Sequence, residues 1–509
     1  MSQQEKIQKP KSIKMNFIYN LIYQVFLIIV PVIVTPYVSR VLGADKIGQY
    51  SYSYSIVSYF TLFAGLGFSY YAQREIAKHQ DSKMEQSRIF WEICIVRFFS
   101  TMIAAILFFI VASISYFNDY KFLLYILSAN VLAVSIDTSF IFQGNEDFKQ
   151  IAVRNFIAKL IVISCIFGFV KKSEDLWIYT LIQSLSPVLS ALLMIPFLKR
   201  YLQKIKLSEL KPIKHLVPCL KLFIPTIAVS VYTMLDKTMI GMIIQGETTV
   251  IENGVEVTKK ISDLESGYYN QAEKIIKILI TVVTALGAVM IPRNAYYFNT
   301  GETEKAKDNV IKGIKFAFLL ALPLMLGVIC VADNFSPWFF GAGYEKVPLL
   351  MKVFAPLILA IGLNNVFGIQ YLIPSGKDAI YTISVLIGAT VNLVLNTVLI
   401  YFYSSMGAAI ASVCAEFSIL IFQMIYLRKE ISPIKTILSG WKYLLSSCVM
   451  FVPCFFMGKY LESSILNTIL IVLVGVFVYG IMLLVLKDSF VLDYLHKFVS
   501  KFKKSKNRE

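Results

Sequence analysis

The chain has 509 residues, 57% of them hydrophobic and only 16% charged, with a formal net charge of +17. Apolar runs long enough to cross a bilayer recur from end to end, which excludes an ordinary soluble domain and makes this a polytopic membrane protein. The positive charge does not argue for nucleic acid, because most Lys and Arg sit in short connections between those runs, where the positive-inside rule accounts for them.

Residues 1–14 form a polar, basic tail with Lys6, Lys9, Lys11 and Lys14. The apolar run that follows is too long for a signal-peptide core and has no evident small-residue cleavage site, so it reads as a first transmembrane helix. Hydropathy gives fourteen spans: 15–39, 47–70, 89–116, 121–143, 151–170, 176–198, 216–244, 267–291, 311–332, 347–373, 378–402, 405–427, 441–458 and 465–486. With a cytoplasmic N-terminus, and with the five cations in the first five residues of a span (Lys121, Arg154, Lys312, Lys315 and Lys442) counted in the adjoining connection, 33 of the 49 Lys and Arg fall on the inside, 9 in outside connections and 7 deeper within spans. That asymmetry agrees with an even number of crossings and places both termini in the cytoplasm. The tail 487–509, with Lys501, Lys503, Lys504, Lys506 and Arg508, reads as a solvated stop that touches anionic lipid heads.

The seven cysteines are scattered through apolar runs without a CxxC pair and read as small core residues. His79, His215 and His496 all lie in or beside basic connections, so no intramembrane histidine is expected to hold a metal or relay a proton. The connection 245–266 is acidic, and its Asn253-Gly254 pair between alternating apolar and polar residues signals an external β-hairpin.

Two weak internal alignments appear. One lays 48–74 on 267–293, and the other lays Gly144-Asn-Glu146 on Gly376-Lys-Asp378. They suggest two parallel six-helix lobes, 15–198 and 216–427, joined by a basic cytoplasmic linker 199–215 and followed by two further helices in 441–486. Transporters often bind substrate between such halves near the membrane midplane.

Seven cations fall within spans beyond their first five residues: Arg97, Lys159, Lys221, Lys237, Lys274, Lys277 and Lys352. Four carboxylates stand deep enough to pair with them or to couple an ion: Asp137, Asp236, Glu273 and Glu416. On the eighth span Asn270, Glu273 or Lys274, Lys277, Thr281 and Thr284 share one face at three- and four-residue spacing. A lipid-facing charge costs about 2.5 kcal/mol or more, so these stripes are expected to line a wet, cationic path. Asp236 is expected to pair with a cation on another helix, Lys274 or Lys277. The bland alternative is that a Lys near a span end snorkels to the interface, which suits Lys221, Lys274 and Lys352. Tyr50, Tyr52, Tyr54 and Tyr59 read as an interfacial belt rather than a sugar platform. Asn392 with Asn396 and the small residues Gly407 to Ala415 read as helix packing or, for the asparagines, substrate contacts.

Several motifs in this order and spacing carry a family resemblance: Pro36-Tyr-Val-Ser-Arg40-Val-Leu-Gly43, Phe142-Gln-Gly144-Asn-Glu146-Asp-Phe148-Lys149, Leu235-Asp236-Lys237, Gly267-Tyr-Tyr269-Asn-Gln-Ala272 leading to Pro292-Arg293, and Phe340-Gly-Ala-Gly-Tyr344. Together they resemble the Wzx-type oligosaccharide flippases of the multidrug/oligosaccharidyl-lipid/polysaccharide exporter superfamily. The resemblance implies a V-shaped, all-α, two-lobed protein with inward-open and outward-open forms. Its implied substrate is an oligosaccharide repeat unit on undecaprenyl pyrophosphate, built on the cytoplasmic leaflet and turned outward for polymerisation into capsule, exopolysaccharide or O-antigen. The Ser39-Arg40 stretch also resembles the start of the lipid II flippases, which implies a cavity-facing Arg40.

Pyrophosphate needs Lys or Arg in a water-accessible groove, which fits Arg97, Lys159, Lys221, Lys237, Lys274, Lys277, Lys352 and Asn270 as substrate contacts. No phosphate loop for ATP is present in the sequence, and no cofactor is expected beyond a coupling H+ or Na+. The other readings are a lipid II or teichoic-acid-precursor flippase, a cation-coupled multidrug exporter, whose site should be net acidic, and a membrane-embedded enzyme acting on the same lipid. The expected partners are the lipid-linked substrate, membrane lipids, a polysaccharide polymerase and other assembly proteins.

Overall fold

A computed structural model describes residues 13–252, 255–438, 440–488 and 490–493. Contacts divide the chain into two compact units, residues 1–238 and 239–509, with the division inside one helix.

The first unit opens with α1 (Ile13–Gly65), which merges the first two expected spans across a break at Gly43. Gly43 has φ +81°, a left-handed angle that favours glycine, and the chain changes direction there without a loop. Then follow α2 (Phe68–Lys78), α3 (Lys83–Ala112), α4 (Lys121–Ile136), α5 (Ser139–Gly144), α6 (Phe148–Phe169), α7 (Leu176–Leu192) and α8 (Leu216–Ile243). Ser82 caps α3 by accepting from Glu85 N, as an N-cap serine should. Tyr52 is fully buried with Ile56, Phe108 and Leu127 and meets Tyr120 edge-on, which removes it from the expected belt. Tyr50 stacks on Tyr54 and meets Tyr179 edge-on, while Ser55 bonds Thr238 of α8 at 2.9 Å.

The segment 201–215 is strapped along α3 and its neighbours. Gln203 N donates to Ser87 Oγ (2.9 Å), and Tyr201 OH donates to Asp147 (2.7 Å). Glu92, 0% exposed, then takes Lys211 N, Lys214 Nζ and His215 Nε2, each at 2.7 Å. Tyr71 OH holds the other His215 nitrogen at 2.8 Å. Burial pushes the His215 pKa down, against the pull of Glu92. A buried carboxylate with three donors is tolerable where a lone one is not.

The second unit begins with an antiparallel hairpin, β1 (Glu247–Glu252) and β2 (Val255–Lys260), as the Asn-Gly signal predicts; Asn253 and Gly254 themselves lie outside the described residues. It runs directly into α9 (Ile261–Thr284), then α10 (Gly287–Asn299), α11 (Thr303–Phe340), α12 (Val347–Phe354) and α13 (Pro356–Asn364). A π-helical stretch, Asn365–Leu372, continues α13. After it come α14 (Asp378–Tyr403), α15 (Ser405–Leu427), α16 (Pro433–Leu438), α17 (Trp441–Tyr460) and α18 (Ile465–Val485).

Asn396 donates to Asn392 at 3.0 Å and both are fully buried. A Cβ at Gly407 would lie 2.1 Å from the Leu399 carbonyl, so α14 and α15 touch backbone to backbone. Outside the apolar helices, Glu430 receives Lys377 Nζ at 2.5 Å and Tyr371 OH at 2.7 Å. Burial raises its pKa, but these two donors outweigh that and hold it low.

Eleven described helical stretches are long and apolar enough to cross a membrane, so the chain is a helical multi-pass membrane protein. Five of the seven cysteines are buried or half-buried, but Cys414 and Cys448 are exposed, which corrects their assignment to the core. No metal-type cluster of His, Cys, Asp or Glu occurs among the described residues.

Candidate functional site

Helix α9 carries three faces. Tyr269, Ala272, Glu273, Ile276, Ile280 and Val283 are buried. Asn270, Lys274, Lys277, Thr281 and Thr284 form the polar stripe; Lys277 and Thr281 are exposed and the other three half-buried. Ile275, Leu279 and Val282, with Leu286 just past the end of the helix, face an apolar cavity of about 1090 Å³. At 3.6 residues per turn, the polar and cavity-facing stripes are centred roughly 150° apart on one helix.

The cavity is a groove walled by α9, α11 and α18, with Met450 and Cys454 of α17 behind them. Its α11 lining runs from Phe316 to Phe335, about 28 Å of helix, close to the roughly 30 Å hydrocarbon core of a bilayer. The space exists because small residues line it: Gly327 of α11 and Gly480 of α18 have no atom within 4 Å of where a Cβ would stand. Hydropathy spans do not carry this groove; its signal is the pairing of small residues with Leu and Val on α11 and α18.

The expected cations fall into distinct settings. Lys277 Nζ lies 2.6 Å from Glu273 Oε1 one turn away on α9, and Lys274 donates to Gln271 at 3.1 Å. Lys352 Nζ is 2.5 Å from Asp333 of α11. In the first unit Arg97 is only 4% exposed, donating to the Asp137 carbonyl at 2.6 Å and to its carboxylate at 3.3 Å. Asp137 also accepts from Ser139 N and Oγ, so this pair bridges α3 to the break between α4 and α5. Lys159 of α6 is half-buried with no ion-pair or hydrogen-bond partner among the described residues. Arg40 is exposed, Asp236 buried and Lys237 half-buried. The Lys221 side chain lies outside the described residues. Glu416 of α15 is buried and accepts from Asn364 Nδ2 at 2.7 Å, just before the π-helical stretch.

Chemically, α9 offers a phosphate or hydroxyl-rich group the cations and hydroxyls of one face and an apolar chain the groove on another. An anion at Lys277 would displace Glu273, whose side chain is largely buried.

A family model described as "Polysaccharide biosynthesis protein" matches residues 13–298. A putative O-antigen transporter of Escherichia coli K12 is 22% identical over 426 residues, which cover 82% of this chain and 97% of that protein. Among solved structures, the lipid II flippase MurJ in an inward closed conformation superposes with a TM-score of 0.62 at 14% identity, over 86% of this chain and 96% of that one. An inward-facing multidrug resistance MATE family transporter of the MOP superfamily gives 0.59 at 13% identity, over 77% and 94%. These two likenesses establish the fold. The family match spans more than half of the sequence and includes the motifs at 36–43, 142–149, 235–237 and 267–272, which bears out the resemblance read from them: the chain belongs to the polysaccharide biosynthesis protein family.

Proposed function

We propose that this protein translocates undecaprenyl-pyrophosphate-linked oligosaccharide repeat units from the cytoplasmic to the outer leaflet of a bacterial plasma membrane, by alternating access of two six-helix lobes. The observation that carries this reading is α9, with a polar, lysine-bearing stripe and an apolar groove on the same helix. A lipid-linked sugar needs both surfaces, and a small hydrophilic solute needs only one. The groove holds part of the isoprenoid chain. Lys277, Lys274 and Asn270, with Arg40, Lys159, Lys221, Lys237 and Lys352, serve the pyrophosphate and sugars.

In this account the chain crosses the membrane fourteen times, with both halves of α1 and helices α8 and α9 counted as spans and both termini cytoplasmic. The lobes are 15–198 and 216–427, and α17 and α18 build the far wall of the groove. Glu416, held by Asn364 beside the π-helical stretch, is the carboxylate we assign to ion coupling, because π-helical turns concentrate at functional sites. Asp236 is a second such candidate, and Arg97 with Asp137 keeps the first lobe in shape. The membrane potential adds about 2.3 kcal/mol per 100 mV for each negative charge moved outward. A lipid II or teichoic-acid precursor has the same amphiphilic chemistry. A cation exporter fits less well, since an intramembrane surplus of lysine repels its cargo.

Lipid analysis of a depleted strain with a leaflet-specific probe for polyprenyl-linked sugars tests this reading. Complete repeat units should accumulate on the inner leaflet and be cleared by wild type but not by Lys277→Glu. Complete but unpolymerised units on the outer leaflet would move the function to a later enzyme.

A further inference from the structure

The apolar groove is closed at one end by side chains that the transport reading leaves unused. Asn334 of α11 is 2% exposed. Its Nδ2 donates to the carbonyls of Leu461 (3.2 Å) and Glu462 (2.7 Å), where α17 turns into α18. Its own carbonyl accepts from Ser463 Oγ at 2.7 Å. Thr468 Oγ1 donates to Asn334 Oδ1 at 2.6 Å and accepts from Trp338 Nε1 at 2.7 Å.

An amide in an apolar helix is costly unless its polar atoms are satisfied, and here Asn334 also satisfies the orphan carbonyls that follow the end of α17. Thr468 belongs to both structures: it is a clasp member and the last groove-lining residue of α18 at this end. Phe335, next to Asn334, is the last lining residue of α11. Just below the clasp a Cβ at Gly458 would sit 2.2 Å from the Cys330 carbonyl, so α17 and α11 touch backbone to backbone there. At the other end Tyr479 OH ties α18 to the Leu319 carbonyl at 2.9 Å, but the lining continues past that tie to Phe316, Leu483 and Phe490. On α11 and α18 the lining therefore stops at the clasp, whereas at the other end it runs on past the Tyr479 tie.

We infer that the Asn334–Thr468–Trp338 clasp is a stopper that sets how much of an isoprenoid chain the protein holds, with Phe335 against the last enclosed unit. The inference rests on the polyprenyl-linked substrate proposed above. An isoprene unit advances roughly 5 Å over four carbon–carbon bonds of about 1.5 Å, so a groove of about 28 Å encloses about six units. A longer chain leaves its remaining units in the bilayer.

The test is binding of polyprenyl phosphates from two to eleven isoprene units to purified full-length protein in lipid nanodiscs. Wild type should tighten about three- to tenfold per added unit and level off near the sixth. Thr468→Val, which removes clasp hydrogen bonds with little change in shape, and Trp338→Phe, which removes the indole N–H together with part of the ring, should move the plateau to longer chains, and Asn334→Ala should abolish it. An unchanged plateau in Thr468→Val and Trp338→Phe with unaltered thermal unfolding would overturn the stopper, even if Asn334→Ala fails to fold. No length dependence in wild type, or failure of polyprenyl phosphate to displace phospholipid, would instead refute the tail site and the stopper with it.

Discussion

Filling the groove without disturbing the fold separates ligand binding from stability. Gly327 and Gly480 both line it, and a Cβ added at either would have no atom within 4 Å. Leucine at either site adds four carbons to space otherwise taken by the bound chain. At about 0.8 kcal/mol per buried methylene, excluding four such groups costs about 3 kcal/mol, or roughly 150-fold in affinity as an upper limit. The folded protein should not suffer, because glycine is about 1 kcal/mol less favourable than alanine inside a helix and leucine is close to alanine. The assay is competition by a polyprenyl phosphate, with thermal unfolding measured on the same samples. Gly168→Leu on α6, also with open space around it and not in the groove lining, is the control. Wild-type affinity in Gly327→Leu and Gly480→Leu, or equal weakening in Gly168→Leu, would refute the groove as the tail site.

Arg97→Ala should lower unfolding stability by about 3 kcal/mol, near the low end for a broken buried pair because Asp137 is 33% exposed. Recovery of stability in Arg97→Met/Asp137→Asn would confirm a structural bond, whereas full stability with lost transport would return Arg97 to the substrate path. Glu92→Gln removes the charge that holds Lys211, Lys214 and His215; about 2 kcal/mol should be lost, and trypsin should cleave the 201–215 segment faster. Glu430 has a depressed pKa in the folded protein, so its contribution is present above its ordinary value of 4.5 and disappears as pH falls through the depressed one. The gap in unfolding midpoint between wild type and Glu430→Gln should therefore be wider at pH 7 than at pH 4.

Much of the helical layout was legible because apolar length is a one-dimensional property. The Asn253-Gly254 signal for the hairpin and the polar stripe on α9 are likewise local. Charge depth was not. Arg97 stands in mid-span in the sequence, but only the break between α4 and α5 explains why it turns to Asp137 instead of standing open. Tyr52 sits among three tyrosines that look interfacial, yet its partner Tyr120 comes from a distant segment. His215 looked like part of a basic connection and proved buried against Glu92, a pairing across 123 positions. The groove was hidden for the same reason, since its walls come from helices up to two hundred residues apart and its floor is defined by glycines whose role depends on what fails to face them. The two segments of the weak alignment, 144–146 and 376–378, each lie in a connection between helices, but their left-handed residues, Glu146 (φ +55°) and Gly376 (φ +74°), are not the aligned positions.

The most direct test of the proposed transport is translocation of a fluorescent undecaprenyl-pyrophosphate-linked oligosaccharide in proteoliposomes containing only this protein, read by quenching from outside. Protein-dependent exchange of the labelled sugar between leaflets is the expected result, reduced by Lys277→Glu and by Gly327→Leu. Leaflet exchange at the rate of protein-free liposomes, with correctly folded protein present under an imposed ion gradient and potential, would contradict it.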